Sequence, residues 1–168
     1  MIEILNNLGR DKFIYTSPEA RLITLYDDFF YSRNDYDHLC PGQRDYIRKK
    51  FLGNDFKQVS GSVFRFEDQE IAVLKSPGLG ISPLSNLLMT LEKYDYVVAT
   101  PLSCFLYFIS QDSSDEEILR LLKKCPVNLD QAFDFTYQED YRPRLLKSIA
   151  SYKSFQAEHE ASHKFKKL

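Results

Sequence analysis

Residues 63–109, VFRFEDQEIAVLKSPGLGISPLSNLLMTLEKYDYVVATPLSCFLYFI, are the densest apolar stretch of the chain, so any core has to be built on them. Val63–Phe66 and Ile71–Leu74 flank the polar Glu67-Asp68-Gln69-Glu70, which predicts a hairpin with a four-residue connection. Residues 75–81 contain Pro77, Gly78 and Gly80 and read as a loop. Ser82-Pro83 is a helix start, with Ser as N-cap and Pro at the first helical position, and Leu84, Leu87, Leu88 and Leu91 supply a buried stripe. Tyr96–Ala99 and Cys104–Ile109 are expected as two buried strands. Thr100–Ser103 turns between them, because Pro101 is incompatible with one unbroken central strand.

Downstream, Ser114-Asp115-Glu116-Glu117 is a capping box with acidic residues in the first helical turn. Ile118, Leu121 and Leu122 face inward, Lys123-Lys124 close this helix, and Pro126 stops it. Residues 127–141 read as a loop or short helix bearing Phe133, Phe135 and Tyr137. A last helix from about Pro143 carries the seam Leu145, Leu146, Ile149, Tyr152 and Phe155, and residues 156–168 form a polar tail.

Upstream, residues 1–16 hold an apolar patch (Ile2, Ile4, Leu5, Leu8), a turn at Gly9-Arg10-Asp11 and a short strand at Phe13-Ile14-Tyr15. Ser17-Pro18-Glu19 resembles the later Ser-Pro start, and Leu22, Leu25, Tyr26 and Phe29 fall at helical spacing, so a helix is expected here. The competing assignment is a hairpin of 22–26 and 29–32 turning at Asp27-Asp28, since Ile, Thr, Tyr and Phe favour strands. A second helix spans about Gln43 to Leu52 and ends at Gly53-Asn54. The expected fold is therefore α+β: a single domain over residues 1–168, with a central, mainly antiparallel sheet of four to five strands. Four to five helices pack it, on one face.

Composition narrows the function classes. Hydrophobic residues are 43% and charged residues 27% of the 168, the balance of a folded globular protein and not of a disordered chain. The opening MIEILNNLGRDK has no basic segment leading into an apolar one, and the longest apolar run is shorter than a bilayer span of about 20 residues. A cytoplasmic protein without a membrane partner is expected. Cys40, Cys104 and Cys125 are odd in number and in no paired spacing, against both a disulfide framework and a cysteine zinc knuckle. Charge is unevenly spread. Residues 142–168 carry seven Lys/Arg against two Glu, or +5, and the remainder carries 15 against 22 Asp/Glu, or −7.

The sharpest motif is His159-Glu160-Ala161-Ser162-His163, an H-E-x-x-H. On a helix, histidines at i and i+4 share a face and can bind one zinc ion, with the intervening Glu160 acting as general base on the metal's water. The motif resembles that of the zincin metallopeptidases. That resemblance covers five residues and implies a zinc hydrolase with metal ligands His159 and His163. Zincins, however, place a third ligand further along the chain, and no plausible ligand follows His163 here; the flanks are also polar. The zinc enzyme is therefore the alternative.

Other candidates are weaker. Gly78-x-Gly80 before a helix start lacks both the third glycine of a dinucleotide fingerprint and the Lys-Ser/Thr of a P-loop, and reads as a sheet-to-helix turn. Asp35, Asp37 and His38 show no calcium-loop spacing. Arg44, Arg48, Lys49 and Lys50, interleaved with Tyr46 and Phe51, give a third expectation, a nucleic-acid-binding accessory protein, in a chain that is slightly acidic overall. No G-x-S-x-G occurs, and no cysteine has a histidine partner legible in sequence.

The segment with Asp27, Asp28, Tyr31, Asp35, Tyr36 and Asp37 fits a protein-binding surface best, because tyrosines supply contact area and carboxylates steer a basic partner. The leading expectation is a small cytosolic module without a catalytic set or cofactor. It would occlude a basic partner protein in the manner of an immunity or antitoxin protein.

Overall fold

The computed structural model describes residues 1–26, 39–76, 78–135 and 142–167, and the side chains of these other than 135 and 159–167. Its frame is a six-stranded open sheet with strand order β1-β2-β6-β5-β4-β3. The strands are β1 (Ile14–Ser17), β2 (Leu22–Leu25), β3 (Lys57–Gln58), β4 (Val63–Phe66), β5 (Gln69–Val73) and β6 (Tyr96–Val98). Among the described residues, seven helices accompany them: α1 (Ile2–Leu8), α2 (Pro41–Leu52), α3 (Pro83–Lys93), α4 (Pro101–Ser110), α5 (Asp115–Lys124), α6 (Leu129–Phe135) and α7 (Arg142–Lys167). The α+β class and a mainly antiparallel sheet are as the sequence predicts. The β1–β2, β3–β4 and β4–β5 pairs are antiparallel, and β6 lies parallel to β2 and to β5.

Helices cover both faces of the sheet, not one. Alternation along the strands divides the apolar side chains between two cores. Ile14, Ile23, Leu25, Ile71, Val73, Tyr96 and Val98 pack with Leu5 and Leu8 of α1 and Ile47 and Phe51 of α2. Tyr15, Leu22 and Val97 point the other way, onto α3, α4, α5, α6 and α7. β6 is buried throughout because it sits under both layers, as parallel strands do.

Two segments depart from expectation. Leu22–Leu25 is a strand, not a helix, and it pairs with β1 across a turn at residues 18–21. The helical spacing was coincidental, since β-branched Ile23 and Thr24 pack better on the pleated surface. The rival turn at Asp27-Asp28 lies outside the described residues. Cys104–Ile109 is a helix, not a strand. Thr100 is its N-cap, accepting from the Ser103 N–H at 3.1 Å, and Pro101 stands at its first turn. Because α4 is buried on almost every side, its sequence shows no helical periodicity and imitates a buried strand. α7 also runs on through the expected polar tail to Lys167.

Turns and caps follow local chemistry. Gly80 has φ +81°, which a glycine adopts without strain, in the loop before the Ser82 cap of α3. Arg21 has φ 60° and sends its Nη1 to the carbonyls of Leu91 (3.2 Å), Tyr94 (3.2 Å) and Asp95 (3.5 Å), so its charge closes the C-terminal end of α3. Arg21→Ala, which loses the cap and keeps the strained backbone, should cost about 1–2 kcal/mol in urea unfolding. Arg21→Gly should cost about 1 kcal/mol less, because glycine relaxes the positive φ. Equal losses would show that the backbone there is unstrained.

α7 is tied to the body at three levels. Arg144 binds Asp112 (3.0 Å), the Tyr152 hydroxyl donates to Asp115 (2.6 Å), and the Gln156 amide exchanges two hydrogen bonds with the backbone of Val127. No helix among the described residues is long and apolar enough to cross a membrane.

Candidate functional site

Folding assembles a polar cluster that no local motif announces. β1 delivers Tyr15 and Ser17, and the first turns of α5 deliver Glu117 and Arg120, some 100 residues away. Glu117 Oε1 accepts from the Tyr15 hydroxyl (2.7 Å) and the Ser17 hydroxyl (2.9 Å), and Arg120 Nη2 donates to both carboxylate oxygens (3.0 and 3.1 Å). The Arg120 guanidinium also lies over the Tyr15 ring, 4.7 Å from its centroid, and donates to the Tyr15 oxygen (3.1 Å). Beside this network is an open hollow of about 470 Å³ lined by Ile2, Asn6, Ser17, Pro18, Glu19, Glu117 and Arg120.

The electrostatics make this a fixed network and not an acid–base pair. Burial alone would raise the Glu117 pKa, but the bonds from Arg120, Tyr15 and Ser17 outweigh burial and hold the carboxyl below its ordinary value. Burial, and then the Glu117 carboxylate, push the Tyr15 phenol upward, so it stays a donor. Neither group titrates near neutrality, where general acid–base work is most effective. Cys104 and Cys125 are fully buried and burial raises both thiols, Cys125 to about 12, which leaves them packing groups and not nucleophiles. The capping residue of the predicted box, Ser114, does accept from the Glu117 N–H (3.2 Å), while the Glu117 side chain is diverted across to β1.

The cations of α2 are largely engaged. Lys50 pairs with Asp11 (2.9 Å), which also accepts from the Tyr46 hydroxyl (2.6 Å). Arg48 and Lys49 share Asp45 (3.0 and 2.9 Å), and Arg44 donates to the carbonyls of Leu39 (3.2 Å) and Leu74 (2.8 Å). The uniform basic face that a nucleic-acid reading would use is therefore broken up by local partners.

Asp27, Asp28, Tyr31, Asp35, Tyr36, Asp37 and His38 lie outside the described residues. What the structure does give is the attachment of their segment. The Gln43 side chain, almost fully buried, donates from Nε2 to the Leu25 carbonyl (3.4 Å) and accepts at Oε1 from the Cys40 N–H (3.0 Å). One amide thus ties the end of β2 to the start of α2. His159, Glu160 and His163 lie on helical backbone within α7. Among the described residues, no group of three or more potential metal ligands is clustered. Comparisons with protein-family models, with curated proteins and with solved structures gave no match.

Proposed function

We propose that this chain is a small cytoplasmic protein-binding module of the immunity or antitoxin type, one that neutralises a basic partner by covering its working surface. The observation that carries the reading is the way its acidic, tyrosine-rich connection is mounted. Residues 26–40 hold Tyr26, Asp27, Asp28, Tyr31, Asp35, Tyr36 and Asp37, and their two ends are clamped together by Gln43 on a rigid sheet and helix. A segment held at both ends loses less entropy on binding than a free tail, so more of its contact energy appears as affinity. Carboxylates on it raise the association rate with a basic surface, and tyrosines supply buried contact.

The test is a pull-down from the native host at low and moderate salt, followed by binding measurements on the captured protein. A stoichiometric basic partner is expected. A variant carrying Asn at 27, 28, 35 and 37 should bind it at least about tenfold more weakly, with a flatter salt dependence. If the Asn variant binds as tightly as the parent, these carboxylates are not the interface.

A second reading is a zinc-dependent hydrolase using His159, His163 and Glu160. It is favoured by the helical backbone through residues 159–163, which an i, i+4 ligand pair requires. Metal analysis of untagged protein separates the two: stoichiometric zinc that is lost in His159→Ala/His163→Ala would favour the hydrolase.

A further inference from the structure

We propose that the hollow beside the first turns of α2 is a binding site for a phosphate-type oxyanion, independent of the protein-binding role above. It encloses about 260 Å³ and is lined by Pro41, Arg44, Asp45, Arg48, Gly61, Phe64 and Val73. It lies against α2 on one face of the sheet and touches Phe64 of β4 and Val73, the last residue of β5.

The charge count favours an anion. The lining carries two cations, Arg44 and Arg48, against one carboxylate, Asp45, whose two oxygens are divided between Arg48 and Lys49, the latter outside the lining. Among the described residues, Arg44 is held by neutral carbonyls, through Nε to Leu39 and Nη2 to Leu74, which orient it without a carboxylate partner. Its Nη1 makes no hydrogen bond among the described residues. A guanidinium fixed in this way presents a planar fork that matches phosphate oxygens and has little further entropy to lose. Phe64 and Val73 give the hollow an apolar floor, which strengthens a charge interaction above it. The space suits a single phosphate group and not a nucleic-acid strand.

Titrations of the full-length protein with inorganic phosphate, a nucleoside monophosphate and phosphoserine, followed by amide chemical shifts, test this. Saturable phosphate binding with a dissociation constant of about 1 mM is expected, with shifts at Gly61 and Arg48. Arg48→Gln should weaken binding at least about fivefold, and Asp45→Asn, which releases both cations from their competitor, should tighten it about threefold or more. Arg44→Lys keeps the charge and loses the fork, and should weaken binding without unfolding the protein. A nucleoside monophosphate or phosphoserine binding more tightly than phosphate identifies the carrier of the group. Absence of saturable phosphate binding, or Asp45→Asn leaving affinity unchanged or lowered, overturns the site.

Discussion

Phe105→Ala is expected to lower the unfolding free energy by about 3–5 kcal/mol, the range for truncating a fully buried aromatic. Phe105 is at 0% exposure in α4, the helix at the centre of the larger core, and its ring meets Tyr152 of α7 edge-on at 5.9 Å. The substitution removes the transfer free energy of the ring and leaves a cavity that close-packed neighbours fill only in part. It also loosens the docking of α7, which is otherwise held by Leu145, Ile149 and Phe155 on the same core and by polar ties to Asp115 and Val127. A single domain of this size is stable by about 5–15 kcal/mol, so the variant should sit near the edge of folding at 37 °C. Urea unfolding measures the loss. Phe105→Leu, which keeps most of the volume, should recover more than half of it. A loss below about 1 kcal/mol for the alanine variant would mean that α4 is not the core helix described here.

Glu117→Ala is expected to cost about 1–3 kcal/mol, through the groups it strands more than through the charge itself. Tyr15 and Ser17 would lose their acceptor, and Arg120 would lose its carboxylate while still lying over the Tyr15 ring. The pH dependence gives a more specific signature. The ordinary value is 4.5, and the folded carboxyl lies below it. A group with a lowered folded pKa contributes stability that is complete above its unfolded value and is lost as the pH falls through the folded one. The gap between wild type and Glu117→Gln should therefore be constant at neutral pH and narrow as the pH drops below about 4.5. Urea midpoints collected from pH 7 to pH 3 test this. A gap that stays constant to pH 3 would show that the carboxylate is not ion-paired in solution.

What could be read from the chain depended on how far each signal reaches. The α3 and α5 starts at Ser82 and Ser114 were legible because a cap and its N–H lie within three residues, and both side chains accept the expected bond. The β4–β5 hairpin was legible because its apolar runs and polar turn are contiguous, although β5 begins at Gln69 and leaves a shorter turn than expected. α4 imitates a buried strand although its Thr100-Pro101 start is of the same kind as the others, because uniform burial erases the amphipathic pattern. α1 and β3 were not anticipated, being short elements held by neighbours distant in sequence.

By itself, the sequence determined a mixed single-domain fold, its capped helices, the absence of a disulfide framework and the uneven spread of charge, since all of these rest on composition or on residues a few positions apart. Tertiary structure alone decided that β2 is a strand, that both faces of the sheet are covered, and that Tyr15 and Ser17 meet Glu117 and Arg120. It also decided that one buried amide, Gln43, clamps the ends of the acidic connection. The reason is physical. Parallel pairing of β6 between β2 and β5 joins residues some 75 and 25 positions apart, and a contact of that range is fixed by the free energy of the assembled core, not by any preference its residues express locally.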